Sequence, residues 1–166
     1  MPQPHEIAGQ SPLYLEDLPV GRRFTSATHV IDAAQIKAFA GQFDPQPFHL
    51  DDETAKSTFA GLAASGWHTA AITMRLLVES GLPLAGGIIG AGGEINWPKP
   101  TRPGDVLRVL SEIEQVTPSR SRPDRGTVRV RSETRNQRDE VVQVLIANLI
   151  VPRRATSQVP SELAAG

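Results

Sequence analysis

Apolar positions in the N-terminal half of the chain follow the spacing of an amphipathic helix. The first stripe, at positions i, i+3, i+4 and i+7, consists of Ile36, Phe39, Ala40 and Phe43. Asp32 and Gln35 precede it as a capping box, in which the aspartate accepts a hydrogen bond from a free backbone N–H group. Because Pro45 disfavours the helical conformation of the preceding residue, this helix is predicted to end at Asp44.

Two more helices are predicted before residue 83. A short one begins at Asp51 or Asp52 and runs through Lys56. A longer one follows Gly66, covers residues 69–78 and stops at Gly81. Apart from Arg75 the longer helix is apolar nearly all round, which is typical of a buried helix.

The C-terminal half changes to the two-residue alternation of strands with one face in solvent. This alternation predicts strands over 107–113, 127–135 and 141–151, with a hairpin turn at 136–140. Further strands are predicted over 23–30 and within 87–97. The glycine-rich run 86–93 lacks the spacing and following helix of a dinucleotide fingerprint, and is interpreted as a strand or bend.

The order of elements, a strand, a group of helices and then a run of antiparallel strands, predicts an α+β fold with a sheet wrapped on a buried helix. A length of 166 residues fits one domain. We expect a flexible lead-in over 1–12, the folded domain over 13–152, and a small, polar tail over 153–166 that is disordered.

Composition and charge narrow the function classes. With 17 basic and 18 acidic residues the net charge is -1, so no global field attracts nucleic acid or membrane, and neither partner is expected. No stretch reaches the roughly 18 apolar residues of a membrane helix, and the N-terminus lacks the features of a signal peptide. The absence of cysteine excludes disulfides and thiolate metal sites and fits a cytoplasmic location. The histidines show no metal-ligand spacing, so no metal site is expected.

The segment from Asp44 to His49 carries the clearest chemical signal. Two prolines stiffen it and lower the entropy cost of holding both side chains in one place. A carboxylate and an imidazole held close together are suited to proton transfer. The spacing leaves a second interpretation open, in which Asp44 merely ends a helix and His49 is a packed, satisfied side chain.

Residues 39–51 resemble the hydratase-2 motif of the MaoC-like, R-specific enoyl-CoA hydratases, which reads roughly G-D-x-N-P-x-H. Segments 14–24, 64–67 and 97–105 match other parts of that family in the same order, so the resemblance covers roughly residues 13 to 152. The chain departs from the family at three positions. Phe43 replaces a glycine and adds bulk beside the site, Gln46 replaces an asparagine and keeps its amide, and Ser65 replaces the histidine before Gly66.

The resemblance implies a single hot-dog fold and the hydration of a trans-2-enoyl-CoA to a 3-hydroxyacyl-CoA, or the reverse. His49 would take a proton from water as its oxygen attacks Cβ, while Asp44 positions that water and exchanges a proton at Cα. Backbone N–H groups near Gly66 would stabilise the negative charge on the thioester oxygen. The acyl-CoA thioester is the expected partner, and no cofactor is expected because CoA enters as part of the substrate.

Further candidates surround this pair. The expected oxyanion and substrate-binding residues are Gln46, Ser65, Gly66, Trp67 and His68. Thr69 and Thr73 are candidates for a hydroxyl near the acyl chain. Lys99, Arg102 or the loop 120–125 could meet the CoA phosphates, although a solvated hairpin is the alternative for that loop.

Two other functions stay open at this point. The fold also suits an acyl-CoA thioesterase, although hydrolysis needs no proton at Cα. A non-catalytic acyl-CoA-binding or assembly subunit would fit the substitutions at Phe43 and Ser65. A homodimer or higher homo-oligomer is expected in every case, because one hot-dog unit leaves a sheet edge exposed.

Overall fold

The computed structural model describes residues 11–155, which form an antiparallel sheet of five strands flanked by four helices. The strands are β1 (Arg23–Val30), β2 (Ile89–Asn96), β3 (Val106–Pro118), β4 (Arg125–Arg135) and β5 (Val141–Pro152). The helices are α1 (Ala33–Phe43), α2 (Pro47–Leu50), α3 (Asp52–Phe59) and α4 (Gly66–Leu76), the last extended by a π-helical turn over Leu77–Gly81. The strand order is β1-β3-β4-β5-β2, so β1 and β2 form the edges.

Helix α4 packs its inner face against the sheet. Ile72 and Leu76 lie in one core cluster with strand residues that include Leu107, Val109 and Val142. Each such side chain stabilises the fold by about 1.5–3 kcal/mol on burial. The predicted α+β fold is confirmed, and its sheet-on-helix arrangement is the hot-dog fold.

The central helix is buried on the side that faces the sheet, and in the single chain its other side is exposed. Its outer face carries an exposed apolar stripe at i, i+4, i+7 and i+11. We call it the outer stripe, and it consists of Trp67, Ala71, Met74 and Val78. The sheet covers one side of α4 only, and edge strand β2 is also exposed along almost its whole length.

Local capping explains where α1 and α3 begin. Asp32 caps α1 by accepting the N–H of Gln35 at 2.8 Å, and Asp51 caps α3 by accepting the N–H of Thr54 at 2.7 Å. The Gln35 side chain does not return to Asp32 as a full capping box requires. It pairs with Nε2 of His29 at 3.0 Å instead.

The proposed flexible ends fall mostly outside the described residues, at 1–10 and 156–166. Within the described part of the tail, Arg153 and Arg154 form ion pairs with Glu16 and Asp17, at 2.9 and 2.7 Å. None of the helices found between residues 11 and 155 combines the length and apolar character that crossing a bilayer takes.

Candidate active site

The short connection between α1 and α3 brings Asp44 and His49 together. Asp44 follows the last residue of α1 and donates its backbone N–H to the carbonyl of Ala40 at 2.9 Å. Pro47 then starts α2, where a proline loses no hydrogen bond, and His49 lies on that helix. Nε2 of His49 lies 3.4 Å from Oδ2 of Asp44. The sequence pattern did not predict α2, because four residues are too few to show a helical period.

The tautomer of His49 follows from its second ring nitrogen. Nδ1 lies 2.8 Å from the carbonyl oxygen of Ala63, an acceptor that cannot donate. Nδ1 therefore carries a hydrogen, and in the neutral ring Nε2 is an acceptor that faces Asp44. His49 is buried, and the rings of Phe48 and Phe59 pack against it.

Two hydrogen-bond donors converge on the Asp44 carboxylate. Ser65 Oγ donates to Oδ2 at 2.6 Å, and Gln46 Nε2 donates to Oδ1 at 2.7 Å. The Ser65 hydroxyl lowers the pKa of Asp44 below its ordinary value, against the opposing effect of burial. Smaller lowering contributions come from the Gln46 amide and from the charge that His49 carries when its ring is protonated. Asp44 is therefore an ionised acceptor near neutral pH.

The N-terminus of α4 borders the same pair. Ser65 caps the helix, because its Oγ accepts the N–H of Trp67 at 3.2 Å and its carbonyl accepts the N–H of His68 at 3.0 Å. Gly66 is the first helical residue, and its N–H has no partner within the helix. This group and the helix dipole can meet a negatively charged oxygen.

Gly66 is required here by Trp97. A Cβ at position 66 would lie 2.6 Å from Cε2 of the Trp97 indole, which is closer than real contacts allow. From the sequence, backbone N–H groups near Gly66 were expected to stabilise the thioester oxygen. The structure adds a packing reason.

Asp44 and His49 line a pocket of about 400 Å³ that Gly66 also borders. Its aromatic walls include Trp67 and Trp97, whose rings meet edge to face with centroids 5.4 Å apart. Thr69 and Thr101 line it as well, and the Thr69 hydroxyl donates to that of Thr101 at 2.9 Å. Gln46 and Lys99 complete its polar lining, and Lys99 is paired with Glu140.

A buried polar network that the sequence analysis missed fixes Trp97. Its Nε1 donates to Oε1 of Gln143 at 2.9 Å, and Nε2 of Gln143 donates to Oγ1 of Thr73 at 2.9 Å. Thr73 in turn pairs with Thr134 at 2.6 Å. The one sequence signal was a lone glutamine in the otherwise apolar start of β5, since Gln143 is 0% exposed.

Several other predicted residues lie outside the pocket lining. His68 stacks on Phe39 at 4.5 Å with Nδ1 buried and unpartnered among the described residues, and burial, followed by the nearby His29, lowers the pKa of His68. Phe43 is 68% exposed and does not narrow the site. Thr73 belongs to the buried network rather than to the pocket lining.

The cationic candidates for contact with the CoA phosphates lie in different parts of the structure. The Arg102 guanidinium donates to the carbonyls of Phe59, Gly61 and Leu62, so it clamps the end of α3. The loop 120–125 and the turn bearing Glu140, the partner of Lys99, lie at opposite ends of β4. Because β4 has 11 residues with a rise of about 3.3 Å each, these ends are roughly 30 Å apart. Lys99 is therefore the candidate that lies at the pocket of its own chain.

Between residues 11 and 155 no cluster of three or more His, Cys, Asp or Glu side chains is arranged to hold a metal ion. The groups assembled at the pocket are instead an ionised carboxylate, an imidazole and a helix N-terminus. Such a set can take up a proton and stabilise a developing oxyanion.

Comparisons with known proteins identify relatives that cover most of the chain. A family model described as MaoC like domain matches residues 16–136. The solved structure of the MaoC-like dehydratase from Rhodospirillum rubrum is 66% identical, with a TM-score of 0.85 over 87% of this chain and 99% of that chain. The uncharacterized protein YdeM of Bacillus subtilis is 36% identical over 129 residues, which are 75% of this chain and 89% of the relative. A 3-hydroxybutyryl-CoA dehydratase of Methylorubrum extorquens is 31% identical over 117 residues, 66% of this chain and 69% of the relative.

Proposed function

The chain belongs to the MaoC like domain family, and we propose that it adds water to a trans-2-enoyl-CoA to give a 3-hydroxyacyl-CoA, or catalyses the reverse dehydration. The observation that carries the proposal is the Asp44–His49 pair, 3.4 Å apart, at the wall of a pocket that also contains the N-terminus of α4. The relative named as a 3-hydroxybutyryl-CoA dehydratase supports this substrate class.

Two acceptors that lie side by side favour a water molecule that bridges them from the pocket. With His49 neutral, its Nε2 and Oδ2 of Asp44 both present lone pairs across 3.4 Å. A water molecule can donate one hydrogen to each, which fixes its oxygen lone pairs toward a bound substrate. This arrangement prepares the nucleophile before the reaction begins.

In the proposed reaction one group, His49, takes a proton from water and returns it to the substrate. The water oxygen forms a bond to Cβ while His49 Nε2 takes one of its protons, and the double-bond electrons move through Cα onto the thioester oxygen. The N–H of Gly66 donates to that oxygen and stabilises its charge. The imidazolium then returns the proton to Cα, the enolate electrons form the Cα–H bond, and the product leaves with His49 neutral again.

The family resemblance implied that Asp44 exchanges a proton at Cα. The hydrogen bonds that Asp44 accepts from Ser65 and Gln46 favour a different role. Because Ser65 and Gln46 lower the pKa of Asp44, its carboxylate is a poor carrier of a proton to Cα. In the proposal Asp44 stays ionised, orients the water molecule and stabilises the imidazolium of His49. No cofactor takes part, because the chain supplies both groups and CoA is part of the substrate.

A second copy of this chain is the proposed partner at the outer stripe. The stripe and edge strand β2 are exposed, and Trp67 belongs both to the stripe and to the pocket wall. Pairing there would cover apolar surface, satisfy the free edge of the sheet and complete the pocket. The cytoplasmic location stays a prediction from the sequence.

The test uses crotonyl-CoA with the purified full chain, following the enoyl absorbance and free thiol together. Loss of absorbance without thiol is the expected result, and 3-hydroxybutyryl-CoA should regain absorbance in the reverse direction. Release of thiol would identify a thioesterase, and binding without turnover a non-catalytic subunit. His29→Ala, which removes an imidazole outside the pocket lining, is the control for His49→Ala.

A further inference from the structure

Ser65 contacts the oxygen of Asp44 on which the proposed chemistry depends. Its hydroxyl lies 2.6 Å from Oδ2, the same oxygen that faces Nε2 of His49 at 3.4 Å. Ser65 is 0% exposed, so bulk water cannot replace this hydrogen bond. The other carboxylate oxygen, Oδ1, is held by Gln46.

The Ser65 hydroxyl donates one hydrogen bond and accepts another. An ionised carboxylate only accepts, so the single hydroxyl hydrogen of Ser65 points to Asp44. The oxygen also accepts the N–H of Trp67, at 3.2 Å, as the cap of α4. One hydroxyl therefore connects the end of α1 to the start of α4, 21 residues further along the chain.

We infer that Ser65 is a positioning residue for the proposed hydration. It holds Oδ2 of Asp44 in place relative to His49 on one side and to the N–H of the adjacent Gly66 on the other. The water molecule and the thioester oxygen must be presented to these groups at a fixed separation, and misplacement by 1 Å can cost about 10²-fold in rate. This inference rests on the proposed function.

A purely structural role as a helix cap makes different predictions, and three variants separate the two. Ser65→Gly keeps most of the capping preference and removes the donor to Asp44, whereas Ser65→Ala removes both. Ser65→Thr keeps the hydroxyl. Asp32→Ala is the matched control, because it removes the cap of α1 at the end of that helix far from Asp44.

Two readouts decide the matter: steady-state kinetics with crotonyl-CoA, and titration of the Asp44 carboxyl carbon by ¹³C NMR, assigned with Asp44→Asn. His49 and Lys99 are the titratable groups that share the pocket with Asp44, so both are kept in every variant. We expect Ser65→Gly to lower kcat about 10-fold or more with KM within about 2-fold. The pKa of Asp44 should rise toward its ordinary value, and Asp32→Ala should change neither.

A wild-type pKa and a kcat within about 2-fold in Ser65→Gly would overturn the inference, since a positioning group must affect kcat. If Ser65→Gly does not fold, Ser65→Ala decides by the same two readouts, and Ser65→Thr should restore both. If the wild type hydrates no thioester, the proposed function fails. The titration still shows whether Ser65 controls the ionisation of Asp44.

Discussion

Nδ1 of His49 lies 2.8 Å from the carbonyl oxygen of Ala63, and this contact fixes which ring nitrogen faces the pocket. Ala63 precedes Ser65 by two residues, so one short segment before α4 orients the imidazole, donates to Asp44 and presents the N–H of Gly66. The site is thus organised around the N-terminus of α4. The backbone of that segment is itself tied down, because Ala64 N–H donates to the carbonyl of Thr101 at 2.9 Å.

Lys99→Ala should raise KM for crotonyl-CoA by about 2- to 5-fold with a smaller change in kcat, because an exposed ion contact is worth about 1 kcal/mol or less. Added salt should shrink the difference by screening the charge. Lys37→Ala, which removes a lysine paired with Asp52 outside the pocket lining, is the control. A KM equal to that of the wild type at low salt would show that Lys99 does not contribute to CoA binding.

Met74→Glu should dissociate the proposed homo-oligomer, because it places a charge in the middle of the outer stripe. Light scattering should give the wild type a mass of at least two chains, and the variant 17.9 kDa. Ala38→Glu adds the same charge at an exposed site on α1 and should leave the mass unchanged. A wild-type mass of one chain at assay concentration would contradict the proposed pairing.

Gln143→Leu should lower the free energy of unfolding by about 1–3 kcal/mol, because it removes the partner of Trp97 and Thr73 from a fully buried position. Leucine is similar in size, so the loss reports the hydrogen bonds rather than a cavity. Gln115→Leu, at an exposed position on β3, should change stability by less than about 0.5 kcal/mol. Equal effects in urea unfolding would mean that the network does not stabilise the fold.

Asp44 should contribute stability that depends on pH in a defined direction. Its pKa in the folded chain is lower than the ordinary 3.8, so in acid the unfolded chain binds more protons and stability rises with pH. The stabilisation is complete above pH 3.8 and is lost as the pH falls through the lower pKa that Asp44 has in the folded chain. Below pH 3.8 the free energy of unfolding of the wild type should therefore fall relative to that of Asp44→Asn. A difference that stays constant there would show that the folded chain does not depress this pKa.

Periodicity and capping predicted the regular elements well. The alternation in β4 and the stripe from Ile36 to Phe43 are local patterns, and the structure has a strand and a helix there. The exceptions were the short helix α2, which was not predicted, and the outer face of α4, which is exposed in the single chain. Apolar spacing records that α4 has apolar residues on all sides, but it does not record that the sheet covers only one of them.

The site could be predicted only in part. Asp44 and His49 were singled out because two prolines stiffen the short segment between them and because residues 39–51 resemble the hydratase-2 motif. The role of Ser65 depends on a partner 21 residues away, and that of Gln143 on a partner 70 residues away. Such contacts form when the helices dock on the sheet, and no local pattern contains them.

The kcat of Asp44→Asn tests the central claim most directly. The substitution keeps the size and shape of the side chain and removes its charge, so a loss reports the chemistry rather than a cavity. We expect crotonyl-CoA turnover to fall by about 10²–10³-fold with the fold intact, because the variant loses the charge that orients the water molecule and stabilises the imidazolium. His49→Ala removes the proton carrier and should lower turnover by about 10²–10⁴-fold. The double variant should be little worse than either single one, because both groups act on one water molecule. An Asp44→Asn enzyme that keeps more than about a tenth of the wild-type kcat would contradict the proposed mechanism, because orientation and charge stabilisation should be worth more than that.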